Sequence, residues 1–258
     1  MKYFVINTPP NQDGIIRLYE KDFHYLARVR RLKSGDCFDA ILPNKTKARI
    51  RILSTVNKIL IGECLEALEH TKVPVQPLTP IALFQGLPKG NKMDLIVRQA
   101  AEGGVSLVIP FYCEHTSSLS SAEKTKRWEK IIKEARQQSG SAMDTQIRSP
   151  CSINELLEYW ETIKKQYKRP SGIILHQEPL AKGSFHDYLS NEPDFAVLAV
   201  GPEGGFSPGE LSLFLSAGFK PLLMGSTVLR TETAALYGCA AIRILLLERE
   251  SWTSSLKE

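Results

Sequence analysis

Three charged side chains stand where glycine leaves room for a ligand. Glu203 sits inside Gly201-Pro202-Glu203-Gly204-Gly205, and Arg230 and Glu232 close the run from Gly225 through Val228 and Leu229. A guanidinium can hold a carbonyl or a phosphate and stabilise negative charge that develops beside it. Glu232, two residues on, could orient that arginine or help remove a proton; the two could equally form a structural ion pair that fixes the loop. Glu203 is a candidate for meeting a ligand's polar groups, or for capping the helix that follows. Glycine lets a backbone approach a ligand with no Cβ in the way.

These residues need strand ends to hold them. Phe195–Val200 (FAVLAV) has the length and apolar content of a strand buried on both faces. Ser207, Pro208 and Glu210 then spell a helix start: N-cap, first helical position and capping box. A second strand is predicted at 221–224, broken by Gly225, with Thr231 or Thr233 capping a long apolar helix through Leu247. In open α/β sheets ligands sit beyond the carboxyl ends of strands. Ordinary strand-to-helix turns also use glycine, but two consecutive loops, each with a charged residue, point to a site.

Strands and helices alternate from Pro80 on, as in an α/β domain with a mainly parallel sheet. The reading gives a strand at 81–85, a polar loop at 87–92, and a helix with Met93, Ile96, Val97, Ala100 and Ala101 on one face, ended by Gly103-Gly104. A strand at 105–112 and a helix at 123–139 follow; 137–148 reads as loop. Then come an amphipathic helix at 151–167, a strand at 173–175 and a short helix at 183–189, and the tail 249–258 should fray.

Residues 1–72 read as a small β-barrel domain, with short apolar runs separated by turn signals, and 71–79 as the linker to a second domain, 73–258. One helix, 20–31, interrupts the strands and carries Arg28, Arg30 and Arg31 beside His24 and Tyr25. The net charge of +5 lies wholly in 1–72, which hold 13 Lys+Arg against 8 Asp+Glu; the remainder hold 20 of each. A basic face on one domain is the footprint of a polyanion such as RNA.

Composition excludes other classes. A hydrophobic fraction of 43% and charged fraction of 24% are those of a globular protein, and no apolar run approaches a membrane span. The start reads as a strand and not as a signal peptide, so a cytoplasmic protein is expected. The five cysteines and five histidines are dispersed without zinc spacing; no metal is expected, and the thiols read as reduced. GPEGG is not GxGxxG, and no P-loop or GxSxG elbow occurs. The glycine loops also follow the last two strands, where a dinucleotide fold puts its motif after the first.

LAVGPEGGFSPGE and GSTVLRTETAALYG resemble the small-subunit (16S) ribosomal RNA uridine N-3 methyltransferases of the SPOUT superfamily. The likeness extends to FHYLARVRRLKSGD, to GLPKGNKMDLIVRQAAEGGVSLVIP and to RWEKIIKEARQQSG, and so spans nearly the whole chain. It departs at Ser141 and Thr227, where the family commonly carries basic residues.

The resemblance implies a PUA-like RNA-binding barrel, then a SPOUT-type parallel sheet with a C-terminal trefoil knot. It implies methyl transfer from S-adenosylmethionine to a uracil ring nitrogen of 16S rRNA or the small ribosomal subunit, in a homodimer. The cofactor would lie against Leu175, His176, Gly201, Pro202, Glu203, Gly204, Gly205, Met224, Gly225, Val228, Leu229 and Arg230. Arg230 and Glu232 would be catalytic, and Arg28, Arg30, Arg31, Lys89 and Lys92 would meet RNA phosphates. A non-catalytic RNA-binding protein of this fold, or a methyltransferase for another RNA, are the alternatives.

Overall fold

The computed structural model describes residues 3–44, 46–67, 78–116, 122–141, 143–180 and 183–255. The chain divides into two compact units, Met1–Pro74 with Lys133–Met143, and Val75–Ile132 with Asp144–Glu258. A single cut after residue 72 would leave Lys133–Met143 with the second unit. Most of the expected linker, 71–77, lies outside the described residues.

The first unit is a five-stranded sheet. Strands β1 (Phe4–Val5), β2 (Ile15–Leu18), β3 (Cys37–Ile41), β4 (Lys47–Val56) and β5 (Ile59–Ala67) are ordered β1-β3-β4-β5-β2. In β4, Ala48, Ile50 and Ile52 turn into the core while Arg49 and Arg51 face out and pair with Asp39 and Glu63. Asn57 and Lys58, with φ of 52° and 62°, make the two-residue turn into β5, the backbone twist such hairpins require. The segment β2 is not apparent from its own short run; pairing with β5 creates it. The expected helix at 20–31 forms as α1 (Glu20–Phe23) and then widens into a π-helical turn, His24–Val29. There the Arg30 N–H reaches back five residues to the Tyr25 carbonyl at 2.9 Å, and Arg31 ends the turn at φ 56°.

The second unit is an all-parallel six-stranded sheet. Its elements are β6 (Ile81–Gly86), α2 (Lys92–Glu102), β7 (Leu107–Phe111), α3 (Ala122–Ser139), β8 (Gln146–Ile147) and α4 (Ile153–Gln166). They continue as β9 (Pro170–Leu175), α5 (Phe185–Leu189), β10 (Phe195–Val200), α6 (Pro208–Ser216), β11 (Lys220–Leu222) and α7 (Thr231–Ser255). From α3 the residues from Lys133 on count with the first unit.

The strand order is β11-β9-β10-β6-β7-β8. FAVLAV is β10, flanked by β9 and β6, and all six of its residues are buried. The face of α2 forms as predicted, and so does the start of α6 with its Ser207–Glu210 capping box. Three expectations shift. The strand at 221–224 is Lys220–Leu222, which leaves Leu223 and Met224 to the loop. The segment 137–148, read as loop, holds the end of α3 and the strand β8, which pairs with β7. Helix α7 runs past Leu247 to Ser255, because no Gly or Pro stops it.

Helix α7 lies close on the sheet. A Cβ at Gly238 would come within 2.5 Å of Leu198 Cδ2 in β10. Ala235, Cys239, Ile242 and Leu246 face inward at helical spacing, while Leu236, Tyr237, Ile244 and Leu247 remain exposed. No helix among the described residues is long and apolar enough to cross a membrane. All five cysteines are free, two of them buried, and no metal-binding cluster occurs among the described residues.

Candidate active site

Strands β9, β10 and β11 end side by side, and the loops beyond them line one cleft of about 410 Å³. That volume lies in the range of small-molecule sites. Every residue expected around the cofactor lines it: Leu175 and His176 after β9, Gly201, Pro202, Glu203, Gly204 and Gly205 after β10, and Met224, Gly225, Val228, Leu229 and Arg230 after β11. Thr227, one of the departures from the family pattern, lines it as well.

A buried hydrogen-bond network ties the two glycine loops together. The Thr231 hydroxyl donates to the Gly201 carbonyl at 2.6 Å and accepts from Gln85 Nε2 at 2.9 Å. Gln85 Nε2 also donates to the Gly86 carbonyl. Thr231 is thus the first residue of α7 and not its cap; the Arg230 carbonyl accepts the first helical bond, from the Ala234 N–H. Neither Gln85 nor this use of Thr231 was anticipated. The signal was present: one glutamine at the end of the apolar strand IALFQG, fully buried, is costly unless bonded. Below the cleft β6 and β10 meet so tightly that a Cβ on Gly86 would lie 2.6 Å from Pro202.

Glu203 lines the cleft but does not cap the helix that follows. Its carboxylate accepts the Lys89 N–H at 3.1 and 3.2 Å and the Lys92 ammonium at 2.6 Å, while Glu210 caps α6. Partial burial pushes the Glu203 carboxyl up. The hydrogen bond from Lys92, the backbone N–H groups of Glu203 and Lys89, and the charge of Lys92 outweigh that and hold it below its ordinary value. Lys92 is therefore a paired cation, whereas Lys89 leaves its ammonium exposed.

Arg230 lines the cleft with an exposed side chain and has no ion-pair partner among the described residues. The structure does not bring Glu232 to it. No ion pair joins the two, Glu232 is not among the cleft's lining residues, and its Oε2 is buried without a hydrogen-bond partner among the described residues. In the first unit Arg28, Arg30 and Arg31 are exposed and unpaired among the described residues, in contrast to the paired arginines of β4.

A parallel sheet whose three neighbouring strands end in a glycine-lined cleft places a ligand site beyond the carboxyl ends of the strands. Residues 74–243 match the RNA methyltransferase domain family, and the chain belongs to that family. It is 30% identical over 252 residues to the ribosomal RNA small subunit methyltransferase E of Synechocystis sp., covering 95% of this chain and 78% of the relative. It is 32% identical over 212 residues to the protein of that name from Aquifex aeolicus, covering 81% and 86%. The fold matches that of the Neisseria gonorrhoeae ribosomal RNA small subunit methyltransferase E bound to S-adenosyl methionine. The TM-score is 0.79 at 24% identity, over 95% of this chain and 98% of that one.

Proposed function

We propose that the chain is an enzyme that methylates N-3 of a uridine in the RNA of the small ribosomal subunit, 16S rRNA, with S-adenosylmethionine as donor. The observation that carries this reading is the convergence of the β9, β10 and β11 loops on one cleft with Arg230 in its wall. The residues present fit the donor. Gly205 and Gly225 take positive φ, and a Cβ on either would enter open space, so the backbone can lie against a ligand there. Leu175, Met224, Val228 and Leu229 offer apolar walls for an adenine, and backbone groups of 201–205 offer its polar edge donors and acceptors.

When bound, the cofactor supplies an electrophilic methyl group. The protein's part is to hold the base and manage charge. N-3 must give up its proton, to solvent water, to become nucleophilic, and negative charge then spreads onto the flanking carbonyl oxygens. Arg230, with no carboxylate partner among the described residues, can hold a carbonyl oxygen and stabilise that charge. N-3 is engaged in Watson–Crick pairing, so the target uridine must be unpaired or flipped out.

We assign RNA docking to the first unit as a PUA-like barrel, with Arg28, Arg30 and Arg31 on phosphates. The second unit is then a SPOUT domain whose last strands form the trefoil knot. The exposed apolar stripe of α7, with Val228 nearby in sequence, supports a homodimer. The RNA substrate puts the enzyme in the cytoplasm.

Mass spectrometry of 16S rRNA from a strain lacking the gene tests the reading. One N-3-methyluridine should disappear, return with the wild-type gene and stay absent with Arg230→Ala. Unchanged methylation in the deletion strain overturns it. Calorimetry showing no S-adenosylmethionine binding would turn the reading toward a non-catalytic RNA-binding protein.

A further inference from the structure

One carboxylate joins the loop after β6 to the loop after β10. Glu203 lies in the cleft wall, yet its side chain is spent on the 87–92 segment: one hydrogen-bonded ammonium, Lys92, and one backbone N–H, Lys89. Among the described residues no other side chain bonds the backbone of 88–91. Asn91, the N-cap of α2, makes no side-chain cap bond, and Gly90 at φ 65° has open space around it. Lys92 and Glu203 keep side-chain exposures of only 37% and 26%, so their attraction is less screened than that of a fully exposed pair.

We propose that Glu203 is a positioning residue for the RNA and not a ligand of the cofactor. It fixes the 87–92 loop so that the Lys89 ammonium faces the substrate, and Lys92 is its counter-ion instead of a phosphate contact. This rests on the cofactor reading above. One turn then serves both substrates: its backbone lines the cofactor cleft, and its one charged side chain sets the RNA-facing loop.

The test uses the full-length chain, S-adenosylmethionine calorimetry, steady-state methylation of 16S rRNA and RNA binding over a salt series. Glu203→Gln should keep S-adenosylmethionine affinity within about twofold and raise KM for RNA about fivefold, with KM carrying the larger part of the loss. The exchanged pair Glu203→Lys with Lys92→Glu should recover only the part of that loss due to the ion pair, because an ammonium at 203 cannot accept the Lys89 N–H. Lys89→Ala should flatten the salt slope of RNA binding by about 0.7, the loss of one phosphate contact to a single strand, and Lys92→Met should leave the slope unchanged.

A loss of S-adenosylmethionine affinity of tenfold or more in Glu203→Gln, with KM for RNA unmoved, makes Glu203 a cofactor ligand and overturns the proposal. Equal slope losses at Lys89 and Lys92 overturn it as well. If the wild type binds no S-adenosylmethionine, the cofactor reading fails on its own, and the salt series still judges the role of the two lysines.

Discussion

The two glycine loops of the cleft are held in opposite ways. The loop 201–205 is tied on every side. Gly201 accepts from Thr231, Gly205 donates back to Pro202 at 2.9 Å, and Glu203 holds the 87–92 loop. His115 lies so close to Gly204 that a Cβ there would be 2.8 Å away. The loop after β11 is tied only at its ends, by the His176 N–H to the Leu222 carbonyl before it and by Thr231 after it. Among the described residues no hydrogen bond reaches 223–229, and Val228 is 72% exposed. A preformed wall cuts the ordering cost of binding, and a loosely tied one can adjust to a second substrate. On the proposed function, the contrast makes the first loop architecture and the second the carrier of the reacting contact.

The largest effect should come from the loosely tied loop. Arg230→Ala should lower kcat about 10²- to 10³-fold, the scale of losing one donor aimed at developing charge. Cofactor affinity should fall far less, and thermal stability should hold, because Arg230 makes no ion pair among the described residues. Single-turnover methylation beside calorimetry separates the two quantities. Equal losses in rate and cofactor affinity would mean that Arg230 only binds the donor, and the contrast between the loops would fail.

Thr231→Val cuts the link between the loops while keeping the shape. It strands the buried Gly201 carbonyl and removes one of the two acceptors of Gln85 Nε2. Such a loss costs about 2 kcal/mol of folding stability, read as a lower urea midpoint at unchanged slope. A midpoint within error of wild type would show that the two loops are independent.

How much of this was legible differs with the range of the interaction. FAVLAV declared a buried strand, Ser207–Glu210 a helix start, and 93, 96, 97, 100 and 101 a buried face, because each is a local pattern that pays its own way in propensity and capping. The cleft was legible as far as the glycines go. What escaped was everything set by distant partners. Gln85 meets Thr231 across 146 positions, and Lys92 meets Glu203 across 111. Such pairs follow from the strand order β11-β9-β10-β6, which no local run encodes. That is why Lys92 read as a free cation and Glu232 as a neighbour of Arg230. Strand β2 and the π-helical turn were missed for the same reason, since pairing and packing override weak local preference.

The smallest effects sharpen the contrast between the loops most directly, because they use the same change in both. Gly205 and Gly225 take φ of 69° and 146°, and neither has an atom within 4 Å of a built Cβ. Alanine at either site therefore adds strain without a clash. In the tied loop the strain cannot relax, so Gly205→Ala should cost about 1 kcal/mol of folding stability. In the loosely tied loop the backbone can rotate away, so Gly225→Ala should leave the urea midpoint nearly in place. The displaced backbone would then meet the cofactor poorly, weakening its binding about fivefold, near 1 kcal/mol. Stability and affinity moving together in both variants would show that the hydrogen bonds around 201–205 confer no extra rigidity. The reverse pattern would make the second loop the fixed wall of the cleft.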